Sequence, residues 1–310
     1  MTKKIAIVFP GQGSQYEAMG KDLLDSRVYK LAKDILDKDT YEAIANANIE
    51  EISKTRYAQP AIFMNSMALL DELLNKYKNL EVAAMAGLSL GEYSALCSSA
   101  MIGLEKAIRL VAKRGQIMGQ GVKGQGTMLA IMKTPLDTIE EIVCQVKKSN
   151  PDIKNLDIAN INCPGQIVVG GDFSAIDKLE YACKERSIKK TVKLNVEGPF
   201  HTSVLKPSAE IFRQELEKID FKFNKDIKVY KNLDASVYGR DQDYVDILMK
   251  QMYSRVMFEQ TIKNMIDDGI DTFIEVGPGK SLAGFIKKID KTKKVINIQN
   301  LDDIREMSEV

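Results

Sequence analysis

Five apolar residues in a row, Ile5 to Phe9, are halted by Pro10-Gly11-Gln12-Gly13. A run this short and unbroken predicts a strand buried on both faces and ending in a loop. Val82 to Gly87, small and apolar, predicts a second. Between them Phe63, Met64, Met67, Leu70, Leu73, Leu74 and Tyr77 recur at steps of three and four, the pattern of an amphipathic helix. Leu90 to about Cys97 also reads as helical, and Leu104, Ile108, Val111 and Met118 mark a further helix.

Residues 127 to 194 carry a pattern of their own. Thr127 to Met132 is a strand. Thr134-Pro135 predicts a helix start, with Thr134 as cap and Pro135 in the first helical position, running to about Lys148. Asp157 to Asn162 and Gln166 to Gly171 are strands around a hairpin-like turn, Cys163-Pro164-Gly165. A helix from about Ser174 to Arg186 and a strand from Thr191 to Leu194 complete the order βαββαβ, the ferredoxin-like arrangement. The expected fold class is therefore α/β, a larger α/β domain (1–125 and 196–310) with an inserted ferredoxin-like small subdomain (126–195). After Thr202 come a helix, a strand near Ile227 to Tyr230, and helices around 242–253 and 258–267. The strand Thr272 to Val276, the turn Gly277-Pro278-Gly279, a helix from Lys280 and the strand Lys294 to Ile298 follow.

Composition narrows the function classes. A formal net charge of +1 gives no global drive toward nucleic acid or anionic membrane. The N-terminal apolar run is too short for a signal-peptide core or a membrane span, so a cytoplasmic protein is expected. Cys97, Cys144, Cys163 and Cys183 form no C-x-x-C pair and the chain has one histidine, so no zinc site is expected. Buried free thiols suit a reducing compartment.

That histidine, His201, follows Gly198-Pro199-Phe200, a stiff turn able to hold an imidazole in place. Gly87-Leu88-Ser89-Leu90-Gly91 lies between a predicted strand and a predicted helix, the setting a nucleophile elbow requires. There the serine oxygen is exposed, and the following helix aims its amides and dipole at developing negative charge, with the Leu90 N–H as an oxyanion donor. If Ser89 uses a histidine base, His201 is the only one available. The pattern is loose, and a glycine-rich turn with an incidental serine also fits it. Gly11-Gln12-Gly13, at a strand end, could turn an amide toward the same place or be a simple tight turn. Two nucleotide motifs fail: Gly11-x-Gly13-x-x-Tyr16 lacks its third glycine, and Gly277-Pro278-Gly279-Lys280-Ser281 has Ile274 where a P-loop needs glycine.

Taken together, several segments resemble the malonyl-CoA:acyl carrier protein transacylase family. They are Phe9-Pro10-Gly11-Gln12-Gly13-Ser14-Gln15, Gln59-Pro60-Ala61-Ile62, Gly87 through Leu96, Lys113-Arg114-Gly115, Ala159 through Gln166, Gly198-Pro199-Phe200-His201, Gln251-Met252-Tyr253 and Glu275 through Lys280, in family order. The resemblance implies a hydrolase-like α/β core with a ferredoxin-like insert. It implies Ser89 as nucleophile and His201 as general base, then acid. The amides of Gln12 and Leu90 would form the oxyanion hole, and Arg114 would pair with the malonyl carboxylate. Gln251 would orient His201 where other serine triads use an acid, Phe200 would size the acyl pocket, and Asn160 would contact the site. It further implies a ping-pong reaction without metal or redox cofactor, malonyl-CoA as donor, the phosphopantetheine thiol of acyl carrier protein as acceptor, and a place in fatty acid synthesis. A monomer is expected, because no heptad seam or long edge announces a dimer. Lys189, Lys190 and Lys193 are carrier-docking candidates by charge, against the commoner reading of a solvated strand edge. The chain departs from the family at Leu88, where histidine is usual, which puts local polarity and the tuning of Ser89 in question. Cys163 stands where serine is common and is expected to be a small buried filler. The alternatives are a serine thioesterase, a polyketide-type acyltransferase using another acyl-CoA, and a docking protein that has lost the chemistry. An acid orienting His201 would favour the thioesterase.

Overall fold

The computed structural model describes residues 4–307. In chain order its strands are β1 (Ile5–Phe9), β2 (Val82–Gly87), β3 (Thr127–Met132), β4 (Leu156–Cys163), β5 (Gln166–Gly171), β6 (Thr191–Lys193), β7 (Lys228–Val229), β8 (Thr272–Val276) and β9 (Lys294–Ile298). Its helices are α1 (Arg27–Ile35), α2 (Lys38–Asn46), α3 (Ile49–Ile52), α4 (Thr55–Lys76), α5 (Leu90–Ser98), α6 (Leu104–Val122), α7 (Leu136–Ser149), α8 (Phe173–Glu185), α9 (Lys206–Leu216), α10 (Tyr244–Gln251), α11 (Phe258–Asp267), α12 (Ser281–Ile289) and α13 (Leu301–Glu306).

One sheet is parallel, in the order β7-β2-β1-β8-β9. The unbroken apolar run of β1 has its reason here. Ile5, Ile7 and Phe9 face a core with α4 and α6, whereas Ala6 and Val8 face a second core built with Phe258, Ile262, Phe273 and Ile286. The other sheet is antiparallel, β4-β5-β3-β6, the ferredoxin-like strand order. It has a core of its own, in which Leu129, Ile131, Ile158, Ile167 and Val169 pack under Ile139 and Ile142 of α7 and Ile176 and Leu179 of α8.

The structure departs from the sequence expectations in several places. α4 begins at Thr55, well before Phe63, and carries Pro60 inside it. Helices α1 to α3 and α13 were not anticipated. Pro135 is the N-cap of α7 and not its first residue, and the Thr134 hydroxyl donates to the Met132 carbonyl instead of capping. The failed P-loop has a physical explanation. The N-terminus of α12 is already taken by the buried Glu275 carboxylate, which accepts from the amides of Leu282 (3.2 Å) and Ala283 (2.8 Å).

Candidate active site

Phe9 and Gly87 are register partners at the carboxyl ends of β1 and β2, where parallel sheets place their ligands. Ser89 follows at φ 53° and ψ −99°, a left-handed position that an L-residue holds only under constraint. Two close approaches form the turn. A Cβ on Gly87 would lie 2.0 Å from the Gly91 carbonyl carbon, and one on Gly91 would lie 2.1 Å from the Phe9 oxygen. Asn232 clamps the strained residue from outside the motif. Its Oδ1 accepts from the Ser89 amide (2.6 Å), and its Nδ2 donates to the Gly87 carbonyl (2.7 Å).

Ser89 Oγ lies 2.6 Å from His201 Nε2, and His201 Nδ1 lies 2.9 Å from the main-chain carbonyl of Gln251. A carbonyl only accepts, so Nδ1 carries the proton and Nε2 is free to accept the serine hydroxyl's. The orienting atom is thus the Gln251 backbone oxygen, and its side chain is used elsewhere. Burial, together with the Arg114 charge, pushes the imidazole down to about 4, so at neutral pH it is an uncharged base. Its position is fixed by a turn in which His201 has φ 58° and the Thr202 hydroxyl donates to the Pro199 carbonyl (2.6 Å).

Arg114 is 1% exposed and comes from α6. Its guanidinium donates to Gln59 Oε1 (2.7 Å), to Gln251 Oε1 (2.9 Å) and to Ser89 Oγ (3.1 Å), and stacks over the Tyr93 ring. α6 can bring it there because Gly115 presses on the α4 backbone, where a Cβ would meet the Thr55 oxygen at 2.8 Å. A cation beside the nucleophile, held by neutral amides, is a ready receptor for a carboxylate.

A cavity of about 400 Å³ opens over these groups. Its lining includes Gln12, Leu90 and Phe200, with Asn160, Asn162 and Val168 from the antiparallel sheet opposite. Leu90 is the first residue of α5, whose opening amides have no intrahelical acceptor. Sequence reasoning missed Asn232, Gln59, Glu92 and Asn162 as site groups. Glu92 is buried and accepts from Tyr238 (2.6 Å) and Gln251 Nε2 (3.0 Å). The Asn162 oxygen is buried at the cavity with no hydrogen-bond partner.

Other candidates fall elsewhere. Lys189 and Lys190 are exposed, and Lys193 on the edge strand β6 is paired with Asp177 (2.6 Å) and Glu180 (3.5 Å). Cys163 and Cys183 are buried, Cys97 is half-buried, and Cys144 is exposed, which corrects the expectation of four buried thiols. Among the described residues no helix is long and apolar enough to cross a membrane.

Comparison with known proteins agrees with this geometry. The family model described as "Acyl transferase domain" matches residues 6–301. The malonyl CoA-acyl carrier protein transacylase of Bacillus subtilis is 36% identical over 307 residues, covering 97% of this chain and 95% of its own. The crystal structure of the enzyme of that name from Clostridium perfringens superposes with a TM-score of 0.88 at 37% identity, covering 98% of this chain and 95% of the other. A malonyl-transacylase in complex with its type II PKS acyl-carrier protein superposes with a TM-score of 0.90 at 30% identity, each chain covered to 98%. The chain belongs to the acyl transferase domain family and, within it, to the malonyl-CoA–acyl carrier protein transacylases.

Proposed function

We propose that this enzyme moves a malonyl group from malonyl-CoA to the phosphopantetheine thiol of an acyl carrier protein, supplying fatty acid synthesis. The observation that carries the reading is the Arg114 guanidinium 3.1 Å from the Ser89 oxygen, which itself faces an uncharged imidazole. A hydrolase of simple esters has no use for that cation, and the partner of His201 Nδ1 is a carbonyl where a thioesterase triad has an acid.

Ser89 attacks the thioester carbonyl while His201 Nε2 takes the hydroxyl proton. The amides of Leu90 and Gln12 receive the oxyanion. Collapse expels CoA, whose sulfur takes the proton back from His201, and a malonyl-serine ester remains. In the second half the carrier's thiol gives its proton to His201, attacks the ester, and Ser89 leaves and is reprotonated. Arg114 holds the free carboxylate throughout, an interaction of about 1.5–3 kcal/mol. That carboxylate also offsets the charge that depresses His201, so a bound malonyl group strengthens its own base. Phe200 bounds the acyl pocket and Asn160 faces it across the cleft. The chemistry calls for no metal or redox cofactor. We further propose a cytoplasmic monomer with residues 126–195 as a subdomain, supported by the core that one face of the antiparallel sheet forms with α7 and α8.

Initial-rate kinetics with both substrates varied test it. Parallel double-reciprocal lines and negligible release of free malonate are expected. Intersecting lines, or hydrolysis matching transfer, would overturn it.

A further inference from the structure

Arg114 and Glu92 are both buried, formally charged side chains of the site. Gln251 joins them. Its Oε1 accepts from Arg114 (2.9 Å) and its Nε2 donates to Glu92 Oε2 (3.0 Å) and to the Ser89 carbonyl (2.8 Å). The main-chain oxygen of the same residue faces His201 Nδ1. Glu92 Oε2 also accepts from the Asn232 amide (3.1 Å), and Asn232 is the clamp on the Ser89 turn. Glu92 Oε1 accepts from Tyr238. One carboxylate therefore anchors two arms, one to the nucleophile's turn and one to the base and the cation.

Resting on the reading of the site given above, we propose that Glu92 is a positioning residue, a triad acid at one remove. Its negative charge balances Arg114 in the empty site, holds Gln251 so that its carbonyl meets His201, and steadies the imidazolium formed in each half-reaction. Three donors converge on it, and its ionised form accepts all three without the Tyr238 hydroxyl having to turn, so the arrangement is strongest when the group is ionised.

Its ionisation is accordingly a control on rate. Burial pushes the carboxyl up to about 7, against the donors from Tyr238, Gln251 and Asn232 and the charge of Arg114. The titratable or charged groups around it are Tyr238, Tyr93, Arg114 and, behind Gln251, His201. Burial and the Arg114 charge hold His201 low in the free enzyme, so an acid limb of kcat/KM near neutrality is expected to report Glu92.

Glu92→Gln is isosteric. Its amide oxygen can face the two N–H donors, and the Tyr238 hydroxyl can turn to accept from its nitrogen. With malonyl-CoA and carrier protein, kcat should fall roughly 10- to 100-fold while KM for malonyl-CoA moves less than about 3-fold. Wild-type kcat/KM should rise with pH through neutrality, and the variant's should be flat. A variant within about 3-fold of wild type, with the same limb, would overturn the proposal. If Glu92→Gln does not fold, Tyr238→Phe asks the same question. It removes a donor that favours the ionised form, so the limb must move to higher pH, and an unmoved limb overturns the proposal. The single histidine gives an unambiguous NMR signal, and its titration in step with the limb would also overturn it. Wild type inactive on malonyl-CoA at every pH would instead sink the underlying reading.

Discussion

Ser89 is held by its amide, its carbonyl and its side chain at once, through Asn232, Gln251, His201 and Arg114. Each contact has a separable consequence. Arg114→Ala removes the proposed carboxylate receptor and leaves Gln59 Oε1 and Gln251 Oε1 without their donor. It should lower kcat/KM for malonyl-CoA about 10- to 100-fold, the equivalent of ~1.5–3 kcal/mol. Acetyl-CoA turnover should fall much less, so the malonyl-to-acetyl ratio measured in competition collapses. An unchanged ratio would remove Arg114 from selection. Asn232→Ala leaves the Ser89 amide and the Gly87 carbonyl unpaired beside a strained residue. A loss of about 1–3 kcal/mol in denaturant unfolding is expected, together with slower acylation. Leu88, the departure from the family's usual histidine, lines the same cavity without entering the Ser89–His201–Gln251 chain of bonds, consistent with its being no base.

At the scale of elements, Glu275 at the head of α12 makes the clearest stability prediction. Burial pushes it up to about 7 against the two amides it accepts. The folded chain therefore keeps a proton between the ordinary carboxyl value of 4.5 and about 7 that the unfolded chain has released. This contribution to stability is full at low pH and is lost as pH rises through about 7. Glu275→Gln should remove that slope, up to roughly 3 kcal/mol between pH 5 and 8, in urea unfolding of wild type and variant. An identical slope in both would contradict it. Of the parallel strands, β1, β2 and β8 were legible in the sequence as short, largely apolar runs closed by glycine or proline. Helices α1 to α3 were less legible, being short and rich in charge, although Val28, Tyr29 and Ala32, and Thr40, Ala43 and Ile44, do recur at helical spacing. Their other readable signal was the set of caps, Ser26, Asp37 and Asn48, each accepting a first-turn amide. In the site, the turns at Ser89 and His201 marked both residues as candidates, and the structure brings their side chains within 2.6 Å. Asn232 was not legible, because nothing nearby in sequence marks a residue whose partners lie 143 positions away.

For the molecule as a whole, the cleft lies beside the antiparallel sheet, whose near face, with Met128, Ala130, Ala159 and Val168, packs into the same core as β1 and β2. Two ties hold this junction. The Asp157 carboxylate on β4 accepts from the Ser203 amide (2.9 Å) and hydroxyl (2.6 Å), two residues past His201. Val256 exchanges main-chain bonds with Ala159 (2.8 Å) and Ile161 (2.9 Å). Asp157→Ala should cost about 1–3 kcal/mol and raise KM for donor and acceptor together, read by thermal melts and steady-state kinetics. Unchanged KM values would mean that the junction is fixed without this tie. The central claim is that Ser89 carries a malonyl group from CoA to a carrier protein. Intact-mass measurement after adding malonyl-CoA, then holo-acyl carrier protein, tests it most directly on wild type and Ser89→Ala. A malonyl adduct is expected on wild type alone, discharged onto the carrier. An adduct on the variant, or one lost to water equally fast with and without carrier, would contradict it.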